Sequence, residues 1–288
     1  MKRFSHNFGI CQWGKAVSRV TAFLAIAFLI GAPVAAGAGD CSCAGPEKGS
    51  QISRPPFLNV VREKLATVLH GIDKDLSLTA SKLSGKGISG PKARIALRGL
   101  CERNSFAVDC AFVDRAGRMK MVEPQAYGKF EGADISGQEQ VKRLHHSGKP
   151  VMSDVFLSLE GFEAVDLEHP VFSPQNMLVG SVSVLMKPED LMSGILSEDA
   201  GKESPLEIWV MQVDGRVLYR GKKLKSGLDF LSSVPLMECI TREKEGHGFS
   251  GLSGKGSGKD VFWTTVSLHG TEWRIVTFSA TDSSEHVR

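Results

Sequence analysis

The sequence lacks an excess of charge of either sign. Lysine and arginine number 35 against 32 aspartates and glutamates. Four of the basic residues (Lys2, Arg3, Lys15 and Arg19) fall within the first 38 positions, where no acidic residue stands, so the remainder holds 31 against 32. A near-neutral chain carries no footprint of the kind that counterion-releasing nucleic-acid binders need, which excludes nucleic acid as the expected partner. Catalytic signatures are missing as well. No G-x-S-x-G occurs, so an α/β-hydrolase elbow is absent. Of two glycine-rich stretches, Ser84 to Gly90 puts Pro91 where a P-loop needs lysine, and in Gly246 to Lys259 the pair Gly258-Lys259 is followed by Asp260. Both read as loops. A structural zinc site would need two well-spaced ligand pairs and only one poor pair is present, so no metal and no cofactor is expected.

Long apolar runs are scarce too. The single example, Thr21 to Ala36, follows a basic segment and ends in small residues, the order of a secretory signal with an A-x-A-like site at Ala36 to Ala38. Gly31 and Pro33 interrupt it, and it falls short of the roughly 20 residues a spanning helix prefers. A cleaved signal over 1–38 is the expectation. An uncleaved membrane anchor stays open, as does lipidation at Cys41, although Asp40 precedes that cysteine where a small uncharged residue is wanted. Each alternative exports the rest of the chain to the periplasm or another extracytoplasmic space.

What is present is a globular balance, 42% hydrophobic and 23% charged in 288 residues, enough for two compact domains. Residues 39–55 read as a flexible lead-in. From Pro56 to Leu83, Phe57, Val60, Val61, Leu65, Leu69, Ile72 and Leu76 recur at three and four, predicting a long helix with one apolar face. Pro91 opens a second helix. The period then falls to two: Val108 to Val113 and Met119 to Val122 flank an Asp/Gly turn, predicting a β-hairpin. A short helix near Gln138 to His146 follows, then strands at Val151 to Leu159, Phe162 to Phe172 and Leu178 to Met186, and a helix at Pro188 to Ser197. The second half repeats the plan, with a hairpin turning at Asp214-Gly215, a helix from Phe230 to Lys244, and strands at Val261 to Leu268 and Glu272 to Ser279. Trp209, Trp263 and Trp273 on those strands read as core. Such a duplication predicts an α+β chain with antiparallel sheets, divided as 56–198 and 199–288.

Five cysteines follow the leader. In an oxidising compartment Cys101 and Cys110 could close a ten-residue loop worth roughly 2 to 3 kcal/mol, whereas Cys239 reads as a buried apolar residue. The polar residues Tyr127, Lys129, Arg143, Ser153, Asp154, Asp166 and His169, with Phe156 beside them, cluster in the first half. They are the candidate ligand-binding set, since pockets combine apolar walls with a few polar groups. Strand alternation places Asp154 and Phe156 on the face opposite Ser153, and His169 on the face opposite Asp166. A hydrolase using Ser153, Asp154 and His169 is a competing assignment, and a structural module with a filled pocket is a third.

The run from Ala111 to Leu185 resembles the extracytoplasmic double Cache family of PAS-like sensor domains. The resemblance is carried by AFVDRAGRM, FEGADISGQEQVKRL, SGKPVMSDVF and EAVDLEHPVFSPQNMLVGSVSVLM. His169-Pro170-Val171 and Leu178-Val179-Gly180 occupy the two characteristic strands, and WVMQVDGRVLYRG with KDVFWTTVSLHGTEWRIVTFS looks like the membrane-proximal unit. The resemblance implies a long N-terminal helix along two tandem PAS-like units, a small molecule in the membrane-distal one, and no catalysis. The amino-acid-binding signature of the family is not found. With no second spanning segment or output module after Arg288, the expectation is a ligand-binding protein acting with a membrane receptor, kinase or transport partner. A homodimer through the N-terminal helix is a further expectation.

Overall fold

Two prolines start the first helix. Pro55 is its N-cap and Pro56 its first residue, where the missing N–H costs no hydrogen bond. In the computed structural model, which describes residues 54–85, 88–197, 207–221, 234–250 and 259–280, helix α1 runs over Pro56–Leu83, about 42 Å at 1.5 Å per residue. Leu58, Val61, Leu65, Leu69, Ile72, Leu76, Ala80 and Leu83 are all buried, the one-sided spacing the sequence predicts. Helix α2, Pro91–Arg103, packs beside it. No helix of the described residues is long and apolar enough to cross a membrane. The leader, Cys41, Cys43 and nearly all of the lead-in lie outside the described residues.

The first sheet comprises β1 (Ala107–Asp114), β2 (Met119–Glu123), β3 (Val151–Met152), β4 (Phe156–Leu157), β5 (Glu163–Phe172) and β6 (Leu178–Met186). Its order is β2-β1-β6-β5-β3, with β4 paired to β5 outside that path. A 3-10 turn, Gln125–Phe130, and helix α3, Glu139–Ser147, connect β2 to β3, and α4, Pro188–Ser197, follows β6. The second sheet holds β7 (Glu207–Gln212), β8 (Val217–Arg220), β9 (Gly246–Ser250), β10 (Lys259–Leu268) and β11 (Thr271–Ala280), with helix α5, Val234–Arg242, between β8 and β9. The start of the helix predicted from Phe230 lies outside the described residues. The sheet order is β8-β7-β11-β10-β9. With β4 set aside and strands counted within each sheet, both follow one order, second, first, fifth, fourth, third. The duplicated hairpin is also present: Asp114 Oδ1 accepts from the Ala116 amide at 2.9 Å, and Asp214 Oδ1 from the Arg216 amide at 3.0 Å. The fold is therefore α+β, two tandem antiparallel units of one strand plan on a long N-terminal helix.

Four findings differ from the sequence-based expectations. The single strand predicted over Val151 to Leu159 is two short pieces, because the segment between them bonds to the second sheet instead. Part of the glycine-rich stretch read as loop is strand β9. A Cβ on Gly246 would stand 2.3 Å from the Trp263 ring, and one on Gly248 2.7 Å from Leu236, so the glycines let this strand lie against a buried indole. Third, Cys101 and Cys110 are free thiols. Their sulfurs are in hydrogen-bond contact, and Cys101 Sγ also donates to the Glu123 carbonyl at 3.4 Å. Contact across α2 and β1 brings the two together without the bond. Cys239, expected as a buried apolar residue, is buried and disulfide-bonded.

One apolar cluster joins α1 to the inner faces of both sheets, from Leu65 and Leu76 to Phe112, Val184, Val210 and Ile275. Alternate residues of β7 divide between this cluster, which takes Ile208 and Val210, and a second beneath α5, which takes Trp209 and Met211. Trp263 lies in the second cluster and Trp273 in the first, each 1% exposed.

Candidate functional site

Period-two geometry gives each strand of the first sheet a helix-facing side and an outer side. Cys110 and Phe112 of β1, Val165 and Leu167 of β5, and Val182 and Val184 of β6 face the helices as core. Their neighbours face the other way and are largely polar: Asp109, Asp166, Glu168, Ser181 and Ser183, all buried. Register brings them together. Leu185 of β6 stands between Asp109 on one side and Asp166 on the other, and Ser183 between Ala111 and Glu168. Three carboxyl groups thus share one buried face.

Burial is the main force on them. It pushes Asp109 up to about 8, with the nearby Glu160 charge adding to the rise. It raises Asp166 well above the usual carboxylate range, aided by Glu168 and Asp109, and lifts Glu168 to about 7. Asp166 and Glu168 lie within hydrogen-bond reach of each other, a contact that requires a proton on one of them. Ser181 Oγ donates to Glu168 Oε2 at 3.1 Å. Asp109 Oδ2, Asp166 Oδ1, Glu168 Oε1 and Ser158 Oγ are buried with no hydrogen-bond partner in this structure. Orphaned buried oxygens are costly unless something else pairs with them.

Above the Asp109, Asp166 and Ser183 part of this floor lies a shallow cleft, about 330 Å³ with the solvent at its open mouth but only about 20 Å³ enclosed, walled by Met119, Ile135, Phe156 and Leu159 and edged by Gln138 and Glu160. Gln138 and Phe156 are shared with a second, larger cleft of about 780 Å³, lined also by Arg143, Ser153, Asp154, Val155 and Arg216. The loop between β3 and β4 lines the larger cleft, and the second sheet holds it. Gln212 Oε1 accepts from the Val155 amide at 2.6 Å, Arg216 Nη1 donates to the Val155 carbonyl at 2.9 Å, and Thr271 Oγ1 donates to the Met152 carbonyl at 2.7 Å.

The structure distributes the sequence-predicted residues as follows. Arg143, Ser153, Asp154 and Phe156 meet at the larger cleft, and Phe156 with Asp166 at the smaller. Arg143 Nη2 donates to the Met152 carbonyl at 2.6 Å, and Ser153 Oγ accepts from the Asp166 amide at 2.9 Å. Tyr127 and Lys129 line neither cleft. Tyr127 stacks on Phe130 at 6.5 Å, and the Lys129 ammonium stands 4.9 Å from the same ring. His169 faces the helices and meets Asp73 of α1 at 2.6 Å, where burial lowers its pKa although Asp73 opposes that. Ser153 and His169 therefore lie on opposite faces of β5, and the pairing a hydrolase would need is not made. Asp109, Glu160, Glu168, Gln138 and Ser183 escaped the sequence reading. For Asp109 a signal existed, since it alternates with Ala111 and Val113 in an otherwise apolar strand.

Residues 67–188 match the model of the family described as HK/GC/Chemotaxis protein-like, sensor domain. No curated protein matches the chain. Among solved structures, an extracellular ligand binding receptor from Desulfohalobium retbaense is 32% identical with a TM-score of 0.69, over 80% of this chain and 40% of that receptor. This chain thus spans less than half of that protein's length. The ligand-binding domain of a Pseudomonas fluorescens chemoreceptor in complex with L-alanine has a TM-score of 0.58 at 13% identity, over 79% of this chain and 96% of that one. The ligand-binding domain of a Pseudomonas aeruginosa amino acid chemoreceptor in complex with GABA has a TM-score of 0.56 at 16% identity, over 77% and 96%.

Proposed function

From a chain whose residues 67–188 carry an HK/GC/chemotaxis-type sensor domain on a Cache-type fold, we propose an extracytoplasmic, non-catalytic sensor that binds a small organic cation in the acidic cleft of its first sheet. The observation that carries this reading is the buried carboxyl floor of Asp109, Asp166 and Glu168, with three oxygens left without partners. Packing carboxylates together away from water is unfavourable. An amine entering over Phe156 would offer N–H donors and a positive charge to the Asp109 and Asp166 carboxyls that line the cleft. L-alanine and GABA, bound by two of the structural neighbours, both carry ammonium groups, and that chemistry suits the floor seen here. The two sheets of one strand plan support a division into 56–198 and 199–288, with the ligand in the first unit. Export by the leader, a membrane receptor or kinase as partner, and pairing of copies through α1 complete the proposal.

The clamp on Val155 supplies a route by which occupancy reaches the second unit. A ligand resting on Phe156 bears on a loop held at Met152 and Val155 by Gln212, Arg216 and Thr271, so movement of the loop must strain or relax bonds to β7, the β7–β8 turn and β11. Gln212→Ala leaves the Val155 amide buried without its acceptor, a cost of about 1–3 kcal/mol. The expected result is a Tm lower by several degrees together with a weakened ligand-induced change in protection of β7 and β11, read by hydrogen exchange. Unchanged exchange in both sheets would remove the clamp from the signalling route.

The test of the ligand class is thermal denaturation of the purified protein with panels of amines, carboxylates, sugars and neutral amides. Amines should raise Tm, and more so at about pH 8 than at about pH 5, because ionised carboxyls bind a cation better. A shift produced only by anionic or neutral compounds would refute the cation assignment, and turnover of an ester or amide panel would refute the non-catalytic one.

A further inference from the structure

On the helix-facing side of β5, away from the acidic cleft, three metal-ligating side chains converge from parts of the chain far apart in sequence. Asp73 comes from the middle of α1, His169 from β5, and His269 from the turn joining β10 to β11. His269 Nε2 lies 2.5 Å and His169 Nε2 2.6 Å from the same oxygen, Asp73 Oδ1. The three donor atoms all lie within 4.8 Å of one another. The imidazoles meet edge to face, with centroids 5.7 Å apart and planes at 77°, so both rings direct Nε2 to one point. His169 is buried, whereas Asp73 and His269 are half-buried, which leaves a side open for a fourth ligand from solvent.

We propose that Asp73, His169 and His269 form a binding site for a divalent transition-metal ion of the zinc class, which ties α1 to both sheets. Two imidazole nitrogens and one carboxylate oxygen are a donor set suited to zinc, with water in the fourth position. The geometry is close to what such an ion needs. Bonds of about 2.0–2.1 Å at a tetrahedral centre separate the donors by about 3.3 Å, so each His–Asp distance has to open by less than 1 Å. Asp73 supplies a carboxylate charge to face the cation. The folded chain assembles the donors, so the ion binds the native state and stabilises it. Its effect would fall on the contact of the β10–β11 turn with α1, a part of the molecule independent of the amine cleft.

The test uses the purified protein stripped with a chelator and titrated with Zn²⁺ and with Co²⁺ at about pH 7.5. The expected results are one ion per chain in calorimetry, a raised Tm, and a Co²⁺ spectrum with the d–d bands of a nitrogen- and oxygen-ligated tetrahedral ion and no thiolate charge-transfer band. His269→Gln, in a turn outside the sheet core, should weaken Zn²⁺ binding by at least ~100-fold with an unchanged circular dichroism spectrum. Absence of binding by the unaltered protein, a thiolate-type Co²⁺ spectrum, or undiminished affinity in the His269→Gln protein would each overturn the proposal. The Co²⁺ spectrum decides the matter even if the variant fails to fold. Because neither readout involves an amine, this site and the sensor reading can fail separately.

Discussion

Asp166→Asn should make the ligand-free protein more stable near pH 8 while abolishing its response to an amine. Burial raises Asp166 above the usual carboxylate range, and Asp109 and Glu168 with it, to about 8 and about 7. The native state therefore holds protons that the unfolded chain, whose carboxyls titrate near 4, has already released. Where the native state binds more protons, stability falls as pH rises, by about 1.4 kcal/mol per pH unit for each full proton. The stability these groups leave intact is complete below about pH 4 and is lost progressively up to about pH 7 to 8. Asparagine keeps the shape and removes one titrating group, so the Tm of the variant should fall less steeply over this window. At about pH 8 it should exceed that of the unaltered protein by about 2–4 °C for each kcal/mol recovered. The same change removes the carboxyl that would give up its proton to pair with a bound cation, so the amine-dependent Tm shift should vanish. A variant that is less stable at pH 8, or one that still responds to amines, would show that the carboxyl floor is structural.

Gly180→Ala should be the most damaging single-methyl change in the first sheet. Gly180 has a φ of +156°, and a Cβ there would stand 2.1 Å from the Val113 carbonyl oxygen and 3.0 Å from Ile88. The obstruction is backbone of the neighbouring strand β1, beside its register shift at Phe112 and Val113, and cannot rotate away. Separating β6 from β1 would break the floor of the cleft as well as the ladder. A loss above about 4 kcal/mol is expected, in the range reserved for such clashes, read as a lowered urea midpoint or as insoluble protein. Gly161→Ala is the comparison. Its φ is +90° but nothing lies within 4 Å of the added methyl, so only backbone strain of about 1–2 kcal/mol applies. Equal losses in the two variants would mean that conformation rather than the β1–β6 contact sets the requirement for glycine.

Both effects concern residues whose surroundings differ in how visible they are from sequence. Asp109 and Asp166 sit in strands whose alternation is plain, and alternation alone separates Asp166 from His169. That Asp109 and Asp166 flank one Leu185 was not legible, because it depends on β6 entering between β1 and β5. Helix α1 was readable over its whole length, since its buried residues recur at three and four. The interruption between β3 and β4 was not, because the partners of Val155 and Met152 are Gln212, Arg216 and Thr271, more than fifty residues away. The cross-link expected of Cys101 and Cys110 is not formed, because spacing says nothing of whether two sulfurs bond.

Local pattern determined the helix-first order, the two Asp-turned hairpins, the repeated strand plan and the near-neutral surface, because each depends on residues within a few positions of one another. The tertiary structure alone decided which polar groups share a space. Asp73 meets His169 across 96 residues and His269 across 196. The carboxyl floor, too, exists only where three strands lie side by side. Periodicity reports which face a side chain occupies. Strand order and the crossing of a long helix over two sheets decide what stands opposite it, and that is fixed by the packing of one shared core.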